Sequence, residues 1–381
     1  MHRTSHTSSG FSLIELMIAM AIGLLLLSGL AMIFVNSSEA NRELQKTAQQ
    51  IENGRFAMDV ISQDLRLAGF YGHLHDVGSI TMPGTIPPDP CEPSDTAELL
   101  KDLRFPIQGY RGSIHASNPA SNTVASGLTT TCTAALLTAA NVKTGSDVLV
   151  IRRADTNFLA TTEVAISNVL YLQTSASQAE VQLGNGAVIG GNKASGAVSL
   201  LYLTNGASPP PPAPMRKLRV HIYFVAPCSI GSATNGACTG ASGEDTIPTL
   251  KRLELTSSGT FTIVPLVEGI EHFKIEYGID DTPNTVSLAT GLTGDSNVDR
   301  YTEAPTSAEW ESVIAAKIFL LARNSEPTAG FTDSKTYVLG TSAATDNVTV
   351  PMATGVNAKF KRHVFSAAVH LVNPAGRREI P

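Results

Sequence analysis

One acidic side chain stands where the chain is otherwise hydrocarbon. Glu15 opens a run over 16–35, LMIAMAIGLLLLSGLAMIFV, that carries no charge. About twenty apolar residues at ~1.5 Å each match a bilayer core of roughly 30 Å. A carboxylate at the centre of such a helix costs roughly 2.5–3.5 kcal/mol, and less near its edge, so it usually has a partner and a task. No cation lies within one helical turn of Glu15. Were the chain cut after Gly10, Phe11 would carry a new α-ammonium close to Glu15, on the same or a neighbouring chain, able to neutralise it in a low dielectric. The bland reading is an interfacial glutamate reaching back to water.

Other residue types give weaker signals. The four cysteines, Cys91, Cys132, Cys228 and Cys238, form no C-x-x-C pair and have no spaced histidines nearby, so zinc is not expected. All follow the apolar run. An oxidising compartment would allow bridges: Cys228 with Cys238 would staple the SIGSATNGA loop, leaving Cys91 with Cys132. Four cysteines still allow three connectivities, and reduced buried thiols are the alternative. His73 and His75 make an H-x-H pair, too little for a metal site. Asp280, Asp281, Asp295 and Asp299 gather around turns and read as solvated turns rather than a calcium site. Gly184-Asn185-Gly186 with Gly190 misses dinucleotide spacing, Gly190-Gly191-Asn192-Lys193 lacks a phosphate-loop frame, and Ser242 lacks the G-x-S-x-G frame. No enzymatic constellation, cofactor or metal follows from these residues.

The elements that must carry Glu15 are legible. No proline occurs before Pro83, and Leu44, Ala48, Ile51, Met58, Ile61, Leu65 and Ala68 recur at helical spacing against Arg42, Glu43, Lys46, Glu52, Arg55 and Asp64. One helix over about 12–68 is predicted, apolar all round at first and amphipathic later. A cleaved secretory signal ending near Ala40 is the alternative, but its apolar region would be ~7–15 residues. Beyond Gly69, strand-like runs occur at 147–152, 163–172, 198–203, 218–225, 250–255, 261–267, 273–277, 314–321 and 364–372, separated by Gly, Asn, Asp and Ser turns. Pro209 to Pro212, with Pro214, reads as a surface loop. The fold class is α+β: a long membrane-spanning stem helix and a large β-rich head. The expected organisation is 1–10 leader, 11–70 stem and 71–381 head. A net charge of −6 gives no basic footprint, so nucleic acid is not an expected partner.

Gly10-Phe11-Ser12-Leu13-Ile14-Glu15-Leu16 resembles the signal of type IV prepilins and type II secretion pseudopilins. Residues 52–58 with 64–70, Gly269 to Asp280 (GIEHFKIEYGID), Trp310 with 313–323, and 361–373 resemble landmarks of the PilW-type minor pilins. The resemblance implies that a membrane peptidase cuts Gly10–Phe11 and methylates Phe11, and that Glu15 docks the subunit in a filament. It implies a low-copy subunit that helps to prime type IV pili for twitching and adhesion and sits near the tip. Its partners would be the prepilin peptidase, the major pilin, other minor pilins, the inner membrane and a tip adhesin, with the head in the periplasm before incorporation. Two departures stand out. Arg3 is the leader's one fixed cation, whereas Arg42, Lys46 and Arg55 follow the apolar run, so the charge rule does not supply the orientation. The stem also lacks a first-helix proline, so no kink is expected, although Gly23 and Gly29 are places where it can loosen. The near alternative is a minor pseudopilin of type II secretion. A more distant one is a signal-anchored periplasmic enzyme.

Overall fold

A computed structural model of the chain describes residues 10, 12–75, 77, 88–91, 96–113, 123, 125, 127–128, 136–159, 163–184, 186, 212–233, 235–257, 260–281, 295–341, 349–350 and 355–378. Phe11, Cys132, Gly190 to Lys193, the strand expected over 198–203 and Pro209 to Pro211 lie outside the described residues. The chain falls into two units, Met1–Gln49 and Gln50–Pro381.

Helix α1 is Leu13–Leu67. In the first unit its apolar side chains are exposed, Leu25 and Phe34 by about three quarters, and this stretch is long and apolar enough to cross a membrane. Its one hydroxyl in the apolar run, Ser28, donates to the Leu25 carbonyl at 2.8 Å, so no polar group there is left without a partner in hydrocarbon. In the second unit the character changes. Gln50, Gly54, Ala57, Met58, Ile61, Asp64 and Leu65 are buried, a spacing of three and four that forms one face.

The second unit also holds two antiparallel sheets. The larger contains β1 (Ile107–Tyr110), β2 (Val148–Ala154), β3 (Leu170–Thr174), β4 (Ala179–Leu183), β5 (Met215–Ala226), β6 (Thr249–Ser257) and β7 (Thr260–Glu268). Its backbone is β5, which pairs with β2 over Leu218–Tyr223, with β3 over Met215–Lys217 and with β6 over His221–Ala226. The smaller has the order β13-β10-β8-β9, from β8 (Ile270–Ile279), β9 (Arg300–Thr302), β10 (Val313–Arg323) and β13 (Arg362–His370). A short ribbon pairs β11 (Tyr337–Val338) with β12 (Thr349–Val350). Two short helices, α2 (Thr96–Asp102) and α3 (Val372–Arg378), complete the elements. The central core lies among α1, β2, β5, β8 and β10, with Ile61, Leu65, Ile151, Tyr223, Phe273 and Ile318 meeting there. A second core fills the opposite face of the larger sheet.

Three expectations need correction. Within 163–172 the ladder begins only at Leu170, because Asn168 takes a left-handed φ of 64° and turns the chain first. The final strand stops at His370, and Val372 begins α3 instead. Asp280 is not in a solvated turn: it is 1% exposed and accepts from Arg378 Nε at 3.0 Å and from the Ser296 amide at 3.0 Å. Beside it, Arg300 pairs with Asp281, whose amide donates to Asp299 Oδ2 at 2.7 Å.

Strand β8 is buried on both faces. Phe273, Ile275 and Tyr277 join the central core, while His272, Lys274 and Glu276 face the other way and are buried too. Polar groups buried this way need partners. Lys274 Nζ meets Asp147 Oδ1 at 2.5 Å and the Gly112 carbonyl at 2.6 Å, and Glu276 accepts from Thr341 Oγ1 at 2.5 Å. His272 is different. Burial first, and the Lys143 charge second, push its ring down to about 3, so it is neutral in the fold. The unfolded chain binds a proton at this ring below about 6.5 and the folded chain does not, so stability is full above that pH and declines towards pH 3. Unfolding in urea at stepped pH should show a fall of up to ~1.4 kcal/mol per pH unit from this residue in that window, and His272→Phe should flatten it.

Candidate assembly site

The start of α1 is built by two side chains. Ser12 precedes the helix, its carbonyl accepting the first helical bond from the Leu16 amide at 3.1 Å. Its hydroxyl accepts from the Ile14 amide at 3.3 Å, while its own amide donates to Glu15 Oε2 at 3.0 Å. This is a reciprocal capping box, S-x-x-E, in which each residue satisfies an amide that the helix leaves orphaned. The carboxylate also meets the positive end of the helix dipole. Glu15 therefore has a partner within its own chain. The signal for it, a serine three residues before a glutamate ahead of an apolar run, was present in the sequence and went unread. Gly10 is exposed, and a Cβ added there would touch nothing within 4 Å.

Within the second unit, the remainder of α1 is tied to the sheets by polar contacts. Asp64 is the hub. Its Oδ1 accepts from Arg153 Nε at 2.6 Å; its Oδ2 meets His221 Nδ1 at 2.6 Å and accepts from Tyr223 at 2.8 Å. Burial alone would raise this carboxyl, but His221, by hydrogen bond and charge, and then Arg153 outweigh it and hold Asp64 far below the usual carboxylate range. Gln50 donates to the Ala322 and Lys361 carbonyls at 2.8 and 3.1 Å, and Asn53 to Glu268 at 3.0 Å. Gly54 supplies a notch: a Cβ there would stand 2.1 Å from the Phe365 ring, which packs against bare helix backbone. At the far end Gly69 turns the chain with φ +71°. Asn373 Nδ2 reaches the Ala68 carbonyl at 3.1 Å and Arg377 binds the Gly69 carbonyl, so α3 caps this terminus with amide and cation.

The segments singled out from sequence converge. Glu271 accepts from Arg362 Nε at 2.5 Å; Arg362 Nη1 also binds Asp333 at 3.0 Å. Gly269, at φ +80°, turns β7 into β8 beneath the Arg323 carbonyl. Trp310 stands edge-on to Tyr277 with ring centroids 4.7 Å apart. Two family models match this chain: Prokaryotic N-terminal methylation motif over residues 5–31, and Type IV Pilus-assembly protein W over residues 230–373. The chain is thus similar to prepilins at its start and to PilW-type pilins over its C-terminal part. No curated protein and no solved structure matches it.

The PilW match takes in β6 to β13, whereas the Asp64 hub draws on α1, β2 and β5, of which the match includes none. Cys228 and Cys238 form a disulfide, Cα to Cα 5.9 Å. Cys91 is also disulfide-bonded. His73 and His75 are both exposed, and no group of three or more His, Cys, Asp or Glu among the described residues is arranged to hold a metal.

Sequence reading placed Asp64 on the polar face of the stem and missed its task, because its partners lie 89, 157 and 159 residues away. Removing a buried carboxylate strands the groups that donate to it. Asp64→Ala should cost about 3–5 kcal/mol in urea unfolding of the detergent-held chain, and Asp64→Asn less, since an amide oxygen still accepts.

Proposed function

We propose that this chain is a minor pilin that primes type IV pilus assembly, with Gly10–Phe11 as the scissile bond, Phe11 as the methylated residue and Glu15 as the docking carboxylate. The observation that carries the reading is Glu15 itself: a carboxylate on the first turn of an uncharged apolar helix, inside the segment that matches the methylation motif. In this reading, residues 1–10 are a leader, 11–70 a stem and 71–381 a head held in the periplasm by a single inner-membrane pass. Withdrawing a twenty-residue apolar helix (~30 Å long) from lipid is costly unless the same surface is reburied, and neighbouring stems in a filament rebury it. The capping box engages Glu15 Oε2, and in this reading Oε1 receives the α-ammonium that cleavage creates on its own or a neighbouring Phe11. The head then contributes to a low-copy complex of pilins near the tip, where twitching and adhesion are served. The match to Type IV Pilus-assembly protein W favours the pilus over type II secretion.

Mass analysis of the N-terminus of the mature protein tests processing: a chain beginning at methylated Phe11 is expected, and a chain beginning at Met1 or beyond Ala40 would overturn the reading. Gly10→Val should leave the precursor uncut. Glu15→Ala should still be cut but fail to enter pili, and normal piliation in that variant would remove Glu15 from its role. Loss of twitching with intact protein secretion on deletion separates the pilus from the secretion system.

A further inference from the structure

A buried cation sits beside the Cys228–Cys238 bridge. Lys251, on β6, is 1% exposed. Its Nζ donates to the Gly236 carbonyl at 2.9 Å; its other near neighbours are Cys238 Sγ at 3.6 Å and Cys228 Sγ at 3.9 Å. An ammonium has three donors, and a bridged sulfur is a weak acceptor. Asp245 and Glu244 add negative charge nearby, but their oxygens are occupied by the amides of Ser229, Ile230, Thr239 and Gly240. Cys238 Sγ also faces the Cys228 amide at 3.2 Å. A thiolate at Cys238 would thus find a cation and an N–H donor already in place, the setting that lowers thiol pKa values. Cys228 Sγ is farther from the cation.

We propose that Cys228–Cys238 is a thiol–disulfide exchange site for dithiol reductants, with Cys238 as the leaving sulfur and Lys251 as its counter-ion. One thiolate of the dithiol attacks Cys228 Sγ; the new S–S bond forms there, and the electron pair of the old bond departs on Cys238. The second thiolate of the reagent then displaces Cys228. The dithiol is oxidised to a disulfide and the bridge is reduced by two electrons. Of the reagent's two protons, one ends on Cys228 and the other goes to solvent, because Cys238 stays ionised beside Lys251. Both cysteines are buried, so attack follows opening of the 229–237 segment, whose Ile230 is 70% exposed. Lys251 acts on the equilibrium and on the leaving group, not on access.

The full chain in detergent is equilibrated with graded dithiothreitol, then alkylated and digested, and the Cys228 and Cys238 peptides are quantified apart from that of Cys91. At a pH above the Cys238 midpoints of both parent and variant, Lys251→Met should need about tenfold more dithiothreitol for half-reduction, the equivalent of one pKa unit on the leaving thiol, while Lys251→Arg should stay near the parent. In the reduced parent, Cys238 should alkylate with a pH midpoint below the ordinary ~8.5 and below that of Cys228. That second measurement needs no variant and decides the matter if Lys251→Met does not fold. Equal midpoints for the two cysteines, or an unchanged dithiothreitol requirement in folded Lys251→Met, would overturn the assignment.

Discussion

A carboxylate buried under a helix is stable only while several donors converge on it, and Asp64 meets this condition through Arg153, His221 and Tyr223. The arrangement does what apolar packing alone does not. Ile61 and Leu65 would tolerate small rotations and slides against the sheet, since hydrophobic contact has no direction. Three hydrogen bonds to one carboxylate fix rotation and register together. The Gly54 notch and the Gln50 and Asn53 bonds repeat the constraint about three to four turns earlier, so that the face of α1 from Gln50 onwards has one seat.

The smaller sheet applies the same logic to a strand. With both sides of β8 buried, its polar residues cannot be solvated, and three of them are held by partners distant in sequence: Lys274 by Asp147, Glu271 by Arg362, Glu276 by Thr341. Pairs of this kind add little net stability over apolar replacements, but breaking one is costly, which favours a single arrangement of the strands. Several of the landmarks shared with PilW-type pilins fall on these pairs and on the Gly269 turn that leads into β8.

What could be read beforehand follows from how local each signal is. The stem was legible almost to the residue because its 3.6-residue period and lack of proline are properties of neighbouring positions. The same holds for β5, β7 and β10, which carry apolar runs, and for β6, where Leu250, Leu253 and Leu255 are set among polar residues. The short β1 and β4 carry too few residues to announce themselves, and β4 alternates Glu and Gln with Val and Leu, as a solvated loop edge can. The Cys228 and Cys238 pairing was suggested by the small loop between them, whereas the lysine beside it comes from another strand and has no sequence signature. Asp64 and Asp280 look like ordinary surface acids until the fold brings His221 and Arg378 to them.

The bond from Asn373 to the Ala68 carbonyl spans 305 residues. A ribosome makes the apolar helix first, and that segment can enter a bilayer long before its opposite end has anything to grip. The carbonyls at that end wait for Asn373 and Arg377, which emerge after every strand of both sheets has been synthesised. Closure of this end is therefore late: the last helix supplies the hydrogen bonds that complete the first.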